Sequence, residues 1–318
     1  MRILIIKPSS LGDVVHALPT VSLIRRKFPE AHITWLINDS LASLLQHCPV
    51  IDEVLPFERE RFRSPWQLPC FAGFLKMLRR KQFDLVVDLQ GLLRSGLMSW
   101  GARAPRRIGL SDAREGALFF YNEIVRVPRI HAVERYLCAA QHLGCDSAPI
   151  EFPLGVSSQI KREGLIGVNP SARWATKLWG NDKFTELIRR LPQERVVLTG
   201  AAGEREQIGM VAQGCRNLAG ETDLFQLAEL YRRCAVVITN DSGPMHVAAA
   251  VGTPVVGIFG PTDPLLTGPY GKEHVILRVD IPCSPCLKDS CANKVHMECM
   301  RLVTVDQVLA AAKAFLAE

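Results

Sequence analysis

The sequence predicts an α/β protein made of two successive doubly wound parallel-sheet domains, and three observations carry the prediction. Short apolar runs of strand length alternate with helix-period segments along the chain. The alternation breaks at the Pro/Gly-containing stretch Pro149-Ile150-Glu151-Phe152-Pro153-Leu154-Gly155 and then resumes. With 318 residues the chain is long for one core and suits two domains of about 150 residues each. The boundaries that follow are 1–155 and 156–318, two Rossmann-like domains facing a central cleft.

In the first block, Ile3–Ile6, Ile33–Ile37 and Leu85–Leu89 read as short buried strands. Helix-period segments at Ala17–Lys27 and Phe71–Lys81 lie between them. The second block opens with Leu165–Val168 and Arg195–Gly200 and continues through Val236–Thr239 and Val255–Phe259. A final helix over about Val305–Leu316 is expected to pack back on the first domain. No internal repeat and no low-complexity tract interrupts the pattern.

The most informative segment is Asn240-Asp241-Ser242-Gly243-Pro244-Met245-His246. It joins the apolar run Ala235–Thr239 to a small-residue helix, Val247–Val251, that Gly252 closes. Ser242 or Gly243 suits the cap, and Pro244 suits the first turn. The carboxyl end of a strand and the amino end of a helix therefore meet there. In an open α/β sheet ligands bind at such junctions, and free N–H groups there favour phosphate oxygens. Asp241 and His246 add a carboxylate and an imidazole; a helix cap with a buried histidine is the plainer reading.

Composition narrows the class. Apolar content of 48% with 22% charged residues is that of an ordinary folded domain, which argues against disorder. Met1–Lys7 has four apolar residues before its lysine, short for a secretory signal, and no run approaches the roughly 18 apolar residues that cross a bilayer. A cytoplasmic protein is expected, at most peripheral at a membrane surface. The net charge of +6 is uneven: residues 1–155 hold 20 Lys and Arg against 15 Asp and Glu, and the remainder 18 against 17. The first half is thus the candidate for an anionic partner. No nucleic-acid motif accompanies the charge, so nucleic acid is not expected.

Further strand-end loops carry possible chemistry. Lys7-Pro8-Ser9-Ser10-Leu11-Gly12-Asp13 matches neither G-x-x-x-x-G-K-[ST] nor G-x-G-x-x-G, which removes support for ATPase and dinucleotide readings. Gly12 allows a ligand close to the backbone. Asp13 reads equally as a helix cap or as a base that takes a proton from an acceptor hydroxyl. His16 sits one turn on, either orienting Asp13 or packed in the helix. In Arg173–Trp179, Lys177 offers a point charge for a diphosphate, and Trp174 or Trp179 a lid. Glu204, after Thr199–Gly203, suits ribose hydroxyls or a helix first turn. Three such loops in one domain favour a nucleotide site.

Of ten cysteines, Cys283, Cys286, Cys291 and Cys299 cluster around His296. One Cys-x-x-Cys pair with two further thiols suits zinc, yet a second matching pair is missing, so reduced structural thiols or a disulfide-prone loop are the preferred reading. A metal-binding interaction module is the rival that this cluster supports, and it leaves the strand-end loops unexplained.

Several segments in order resemble the ADP-heptose:lipopolysaccharide heptosyltransferases of glycosyltransferase family 9. They are Lys7–Asp13 with His16–Pro19, Asp88–Leu92, Ala113-Arg114-Glu115, His131–Arg135, and Asp241–His246 with Phe259–Pro264. The first-half matches are most like heptosyltransferase I, whereas the cysteine segment resembles heptosyltransferase II. The resemblance implies a GT-B fold and an inverting, metal-independent transfer without a cofactor. The first domain then takes the acceptor, an anionic lipid A/Kdo core, and the second takes ADP-heptose.

By the same resemblance Asp13 is the catalytic base. Lys177, Glu204, Asp241, Ser242, Gly243 and His246 fall at donor positions. Ser242 stands where heptosyltransferase I has threonine, and one extra residue separates Arg173 from Lys177. Lys7, Ser10, Gly12, Arg114 and Arg135 are assigned to the acceptor. Arg59, Arg61 and Arg63 form a basic loop for its phosphates, or else a solvated charge run. Another nucleotide sugar or acceptor, or a hydrolysing nucleotide-sugar epimerase of the same architecture, is the alternative.

Overall fold

The computed structural model describes residues 1–59, 68–146 and 148–316. The chain divides into two compact units, Met1–Gly155 and Val156–Glu318. The first unit runs β1 (Arg2–Ile6), α1 (Leu11–Lys27), β2 (His32–Asn38), β3 (Glu53–Phe57), α2 (Leu68–Arg80), β4 (Leu85–Asp88), α3 (Leu93–Ala102), β5 (Arg106–Leu110), β6 (Glu123–Val125) and α4 (Ala132–His142). The second runs β7 (Leu165–Asn169), α5 (Asn181–Arg189), β8 (Val196–Leu198), α6 (Arg205–Val211), β9 (Arg216–Asn217), α7 (Leu224–Arg233), β10 (Cys234–Asn240), α8 (Gly243–Ala250), β11 (Val255–Ile258), α9 (Pro264–Thr267), β12 (His274–Leu277), α10 (Glu298–Arg301) and α11 (Val305–Ala314).

Each unit holds one parallel sheet, ordered β3-β2-β1-β4-β5-β6 in the first and β12-β11-β10-β7-β8-β9 in the second. Renumbered within its own unit, the second sheet repeats the order of the first. In both, the chain starts at the centre, works outward, and returns to build the other half. The strand order therefore reverses between β1 and β4, and again between β7 and β10. Those two crevices, beyond the carboxyl ends of the strands, are where such sheets take ligands.

Burial on both faces explains why the central strands read as unbroken apolar runs. Ile3, Leu4, Ile5 and Ile6 are all fully buried. Leu4 and Ile6 join Leu36 and Val86 in a cluster with Leu78 of α2 and Met98 of α3, while α1 and α4 pack together. In the second unit, Ile166, Val168, Val236 and Ile238 meet Phe184 of α5 and Val308 and Leu309 of α11.

Two sequence expectations, the start of α1 and the Trp179 lid, are corrected, and the last helix is located. First, α1 starts at Leu11, six residues before the expected Ala17, with Pro19 inside it. Pro19 deletes one internal hydrogen bond, but nearly the whole of α1 is buried, and tertiary packing outweighs the local penalty. Second, α11 contributes Val305, Val308, Leu309 and Ala312 to its own unit's core. Third, Trp179 is no lid: it is buried edge-on against Phe184 at 5.0 Å, and its Nε1 donates to the Val303 carbonyl at 2.9 Å.

Candidate active site

The first switch point forms a pocket at the ends of β1, β4 and β5, lined among others by Lys7, Asp13, Gly91, Asp112, Arg114 and Arg135. Asp13 reaches it because Ser10 caps α1: the Ser10 amide and hydroxyl both donate to Asp13 Oδ2, at 3.1 and 2.8 Å. The Asp13 carboxylate thus serves both cap and site, since its other oxygen, Oδ1, accepts from the Tyr136 hydroxyl at 3.1 Å. Burial pushes the Asp13 carboxyl pKa up, but the Lys7 ammonium, the two Ser10 hydrogen bonds and His16 outweigh it and hold the group well below the usual carboxylate range. Asp13 is therefore an ionised, pre-oriented acceptor.

Lys7 is 3% exposed, its amide tied to Leu36 of β2, and its Nζ lies 5.1 Å from the centre of the Tyr136 ring. Burial lowers its pKa, and the Asp13 carboxylate partly restores it. Arg135 covers the same ring at 4.6 Å and pairs with Asp112 at 2.5 Å. Tyr136 is held protonated, because burial and the adjacent Asp13 charge raise its pKa far above the ordinary value. One aromatic ring thus spaces two cations beside one carboxylate.

The pocket floor is set by Asp88, which is fully buried at the end of β4. Burial raises its pKa; donors from Tyr121 at 2.7 Å, Gln90 at 2.8 Å and Gly91 at 3.1 Å oppose that rise. Gly91 sits at φ +67°, and an added Cβ would lie 3.1 Å from Ala113, so side chains are excluded where the two loops meet. The Arg114 amide closes that junction by donating to the Gly91 carbonyl at 2.8 Å.

At the second switch point, fully buried Asn240 joins the loops after β7 and β10: its Oδ1 accepts from the Trp179 amide at 3.2 Å and its Nδ2 donates to the Pro170 carbonyl at 2.7 Å. Next to it Asp241, 4% exposed, pairs through Oδ2 with Lys177 Nζ at 2.7 Å and accepts from Thr262 at 2.5 Å. Lys177 also lies over Trp174, 4.8 Å from the ring centre. Ser242 is the N-cap of α8, but its hydroxyl meets Thr239 at 3.1 Å instead of the helix's first turn. Gly243 and Pro244 follow, and His246 is buried one turn on. The amino end of α8 thus has no side-chain cap beside a Lys–Asp pair.

The structure groups Lys7, Asp13, Arg114 and Arg135 in one pocket, with Ser10 holding Asp13, and groups Lys177, Asp241, Ser242 and Gly243 at the other. Gly12 is buried in the first turn of α1. Glu204 bonds its own loop, accepting from the Ala201 amide at 2.8 Å. Arg59 is exposed beyond β3 and does not line the pocket, while Arg61 and Arg63 lie outside the described residues. His16 packs edge-on against His131 at 5.3 Å. Sequence reasoning gave no role to Tyr136, Asp88, Asn240 and Thr262; the last three lie within quoted motifs and Tyr136 adjoins one, but only the fold reveals what each touches.

Among the described residues, no group of three or more His, Cys, Asp or Glu is arranged to hold a metal ion. All ten cysteines are free thiols. The late four are neighbours: burial and the charges of Cys283, Cys286 and Cys291 raise the Cys299 pKa, and Cys291 Sγ accepts from the Met297 amide at 3.3 Å. No described helix is long and apolar enough to cross a membrane.

The family model for glycosyltransferase family 9 (heptosyltransferase) matches residues 72–296. Lipopolysaccharide heptosyltransferase 1 of Pseudomonas aeruginosa is 32% identical, with 95% of this chain and 90% of that protein covered. The solved structure of Escherichia coli ADP-heptose lps heptosyltransferase II superposes with a TM-score of 0.82 at 27% identity, covering 100% of this chain and 99% of the other. E. coli heptosyltransferase WaaC with ADP-2-deoxy-2-fluoro heptose gives 0.81 at 25% identity, covering 99% of both chains.

Proposed function

The chain belongs to glycosyltransferase family 9 and shares the GT-B fold of its relatives, and on that premise we propose that it moves heptose from ADP-heptose to the Kdo-bearing inner core of lipopolysaccharide. The single observation that carries the reading is the pocket at the first switch point, where an ionised carboxylate is held between cations. It suits a hydroxyl nucleophile on an anionic sugar. The relatives named above, one of them solved with an ADP-heptose analogue, supply the donor class.

In this reading the donor diphosphate lies at the amino end of α8. Gly243 and its neighbours offer backbone N–H groups there, and the helix dipole favours the charge. Lys177, loosened from Asp241, neutralises the phosphate as the leaving ADP gains charge. Glu204 takes the ribose hydroxyls, and Asp241 and His246 line the sugar end. Arg114 and Arg135 hold acceptor carboxylates and phosphates in paired hydrogen bonds, Lys7 adds a point charge, and Arg59, Arg61 and Arg63 serve phosphates beyond that pocket.

Asp13 then receives the proton of the attacking hydroxyl. A carboxylate held this acidic is a poor base towards a free alcohol, which implies late transfer. As the acceptor oxygen bonds to the anomeric carbon it becomes oxonium-like and strongly acidic, and a weak base suffices. Attack from the face opposite the diphosphate inverts the anomeric centre, with charge handled by Lys177 and α8 and no metal assigned a role. The protein works at the membrane surface from the cytoplasmic side, where a lipid-borne acceptor is presented.

A panel of nucleotide sugars tests the donor, read by thermal shift and by ADP release with a Kdo-bearing lipid A acceptor. Stabilisation by ADP-heptose and acceptor-dependent ADP release are expected. Stabilisation by a UDP- or GDP-sugar alone overturns the donor assignment, and donor turnover without acceptor points to a hydrolysing epimerase.

A further inference from the structure

The crossover between β5 and β6 lifts an apolar side chain into solvent beside the acceptor pocket. Phe119 is 91% exposed, and its ring lies over Gly116, where an added Cβ would meet it at 3.6 Å. Leu93, 44% exposed, opens α3 at the same corner, because its amide donates to the Glu115 carboxylate at 3.2 Å. The turn is tightly made: the Ala117 amide donates to the Arg114 carbonyl at 3.0 Å, with Glu115 at φ +57° and Gly116 at φ +77°. Nothing in the transfer chemistry calls for a bare phenylalanine there.

The charges around these side chains are sorted. Asp112 is neutralised by Arg135, and Glu115 is drawn to the amino end of α3. Arg114, and Arg126 and Arg129 just beyond β6, are exposed and form no ion pair among the described residues. Ile130, also exposed, follows Arg129. The Val127 amide bonds the Ser111 hydroxyl at 3.1 Å, which ties the start of this segment to the carboxyl end of β5, next to the pocket.

We propose that this rim, Leu93 and Phe119 with Arg114, Arg126, Arg129 and Ile130, docks the protein on an anionic phospholipid bilayer. Exposed apolar side chains and unpaired arginines along the β5–β6 edge suit shallow insertion at the headgroup boundary, where apolar burial and attraction to anionic lipid act together. A protein partner would call for a broader contiguous apolar face. Docked this way, the pocket opens at the height of the sugars that a lipid carries. The proposal rests on the reading of the acceptor as lipid-borne, yet its test needs neither donor nor acceptor.

The test is co-sedimentation of the full chain with vesicles of phosphatidylcholine alone or enriched in phosphatidylglycerol. Binding to the anionic vesicles at low salt, weakening as salt rises, is expected, with little binding to phosphatidylcholine. A Leu93→Ser/Phe119→Ser variant should lose about tenfold in partitioning, and restoring Leu at 119 should recover most of it. Arg126→Gln/Arg129→Gln should flatten the salt dependence. The Ser variant should melt like the parent, because both side chains are solvent-facing, and should retain turnover on detergent-dispersed acceptor. Wild-type protein that ignores anionic vesicles, or a Ser variant that binds them as well as the parent, overturns the proposal. Failure of glycosyl transfer with vesicle binding intact would count against the proposed activity alone.

Discussion

Tyr121→Phe removes a single oxygen, the one whose hydrogen bond reaches the buried Asp88 carboxylate at 2.7 Å. The ring itself should stay, since it lies against Gly109 so closely that a Cβ there would fall 2.1 Å from it. The loss is therefore a lost donor to a buried acid, not a cavity. The lost hydrogen bond contributes about 1–3 kcal/mol net, at the upper end where Asp88 is ionised, which predicts a fall in melting temperature of roughly 2–10 °C for a unit of this size. The pH dependence carries the sign. Burial already raises the Asp88 pKa above its unfolded value, so its ionisation costs folding stability as pH climbs from the unfolded to the folded pKa. Losing Tyr121 raises that pKa further. The deficit should be greatest above the variant's pKa and should shrink in acid, where a protonated Asp88 forfeits only a neutral bond. Because Asp88 also holds the Gln90 and Gly91 amides, acceptor KM should rise while donor KM stays put. Melting curves across pH, with both KM values, decide it. An unchanged melting temperature at neutral pH, or a deficit that does not shrink in acid, refutes the reasoning.

Asp13→Ala should lower kcat by about 10²–10⁴-fold while ADP still stabilises the protein, and near-normal turnover would remove Asp13 as the base. Tyr136→Phe deletes the 3.1 Å bond to Asp13 but keeps the ring between Lys7 and Arg135, so kcat should drop about tenfold with donor affinity unmoved. Acceptor KM should climb with salt, and climb less in Arg114→Ala/Arg135→Ala, because screening shortens to about 8 Å at physiological ionic strength; indifference to both would move recognition to other residues. Lys177→Met leaves Asp241 buried without its cation, and should cost a few kcal/mol, roughly, that Lys177→Met/Asp241→Asn partly recovers, with donor KM raised in both.

The central strands and the Asp241–His246 loop were legible because both signals are local: continuous apolar runs in one case, cap and turn chemistry in the other. Edge strands were not. β3 carries Glu53 and Pro56 within five residues, and β9 is two residues long, so neither shows an apolar run to read. The start of α1 was hidden by Pro19, a local breaker that packing overrules. At the site, Asp13 stood out through its loop, but the choice between cap and base had no sequence answer, because the structure uses the same carboxylate as cap acceptor and pocket group. Tyr136 lies 123 positions from the aspartate it bonds, a pairing that only the folded sheet creates.

The repeated strand order has a consequence for how the molecule comes apart. Every ladder pairs strands of one unit only, so the sequence separation bridged by each sheet is bounded by half the chain. Each half can then nucleate on its own βαβ crossovers, and the first can finish on the ribosome while the second is still being made. Ligands should act with the same partition: a nucleotide that binds only the folded second half raises the melting of that half and leaves the other transition where it was. A calorimetric trace of the intact chain would then resolve into two endotherms, one movable by ADP and one indifferent to it.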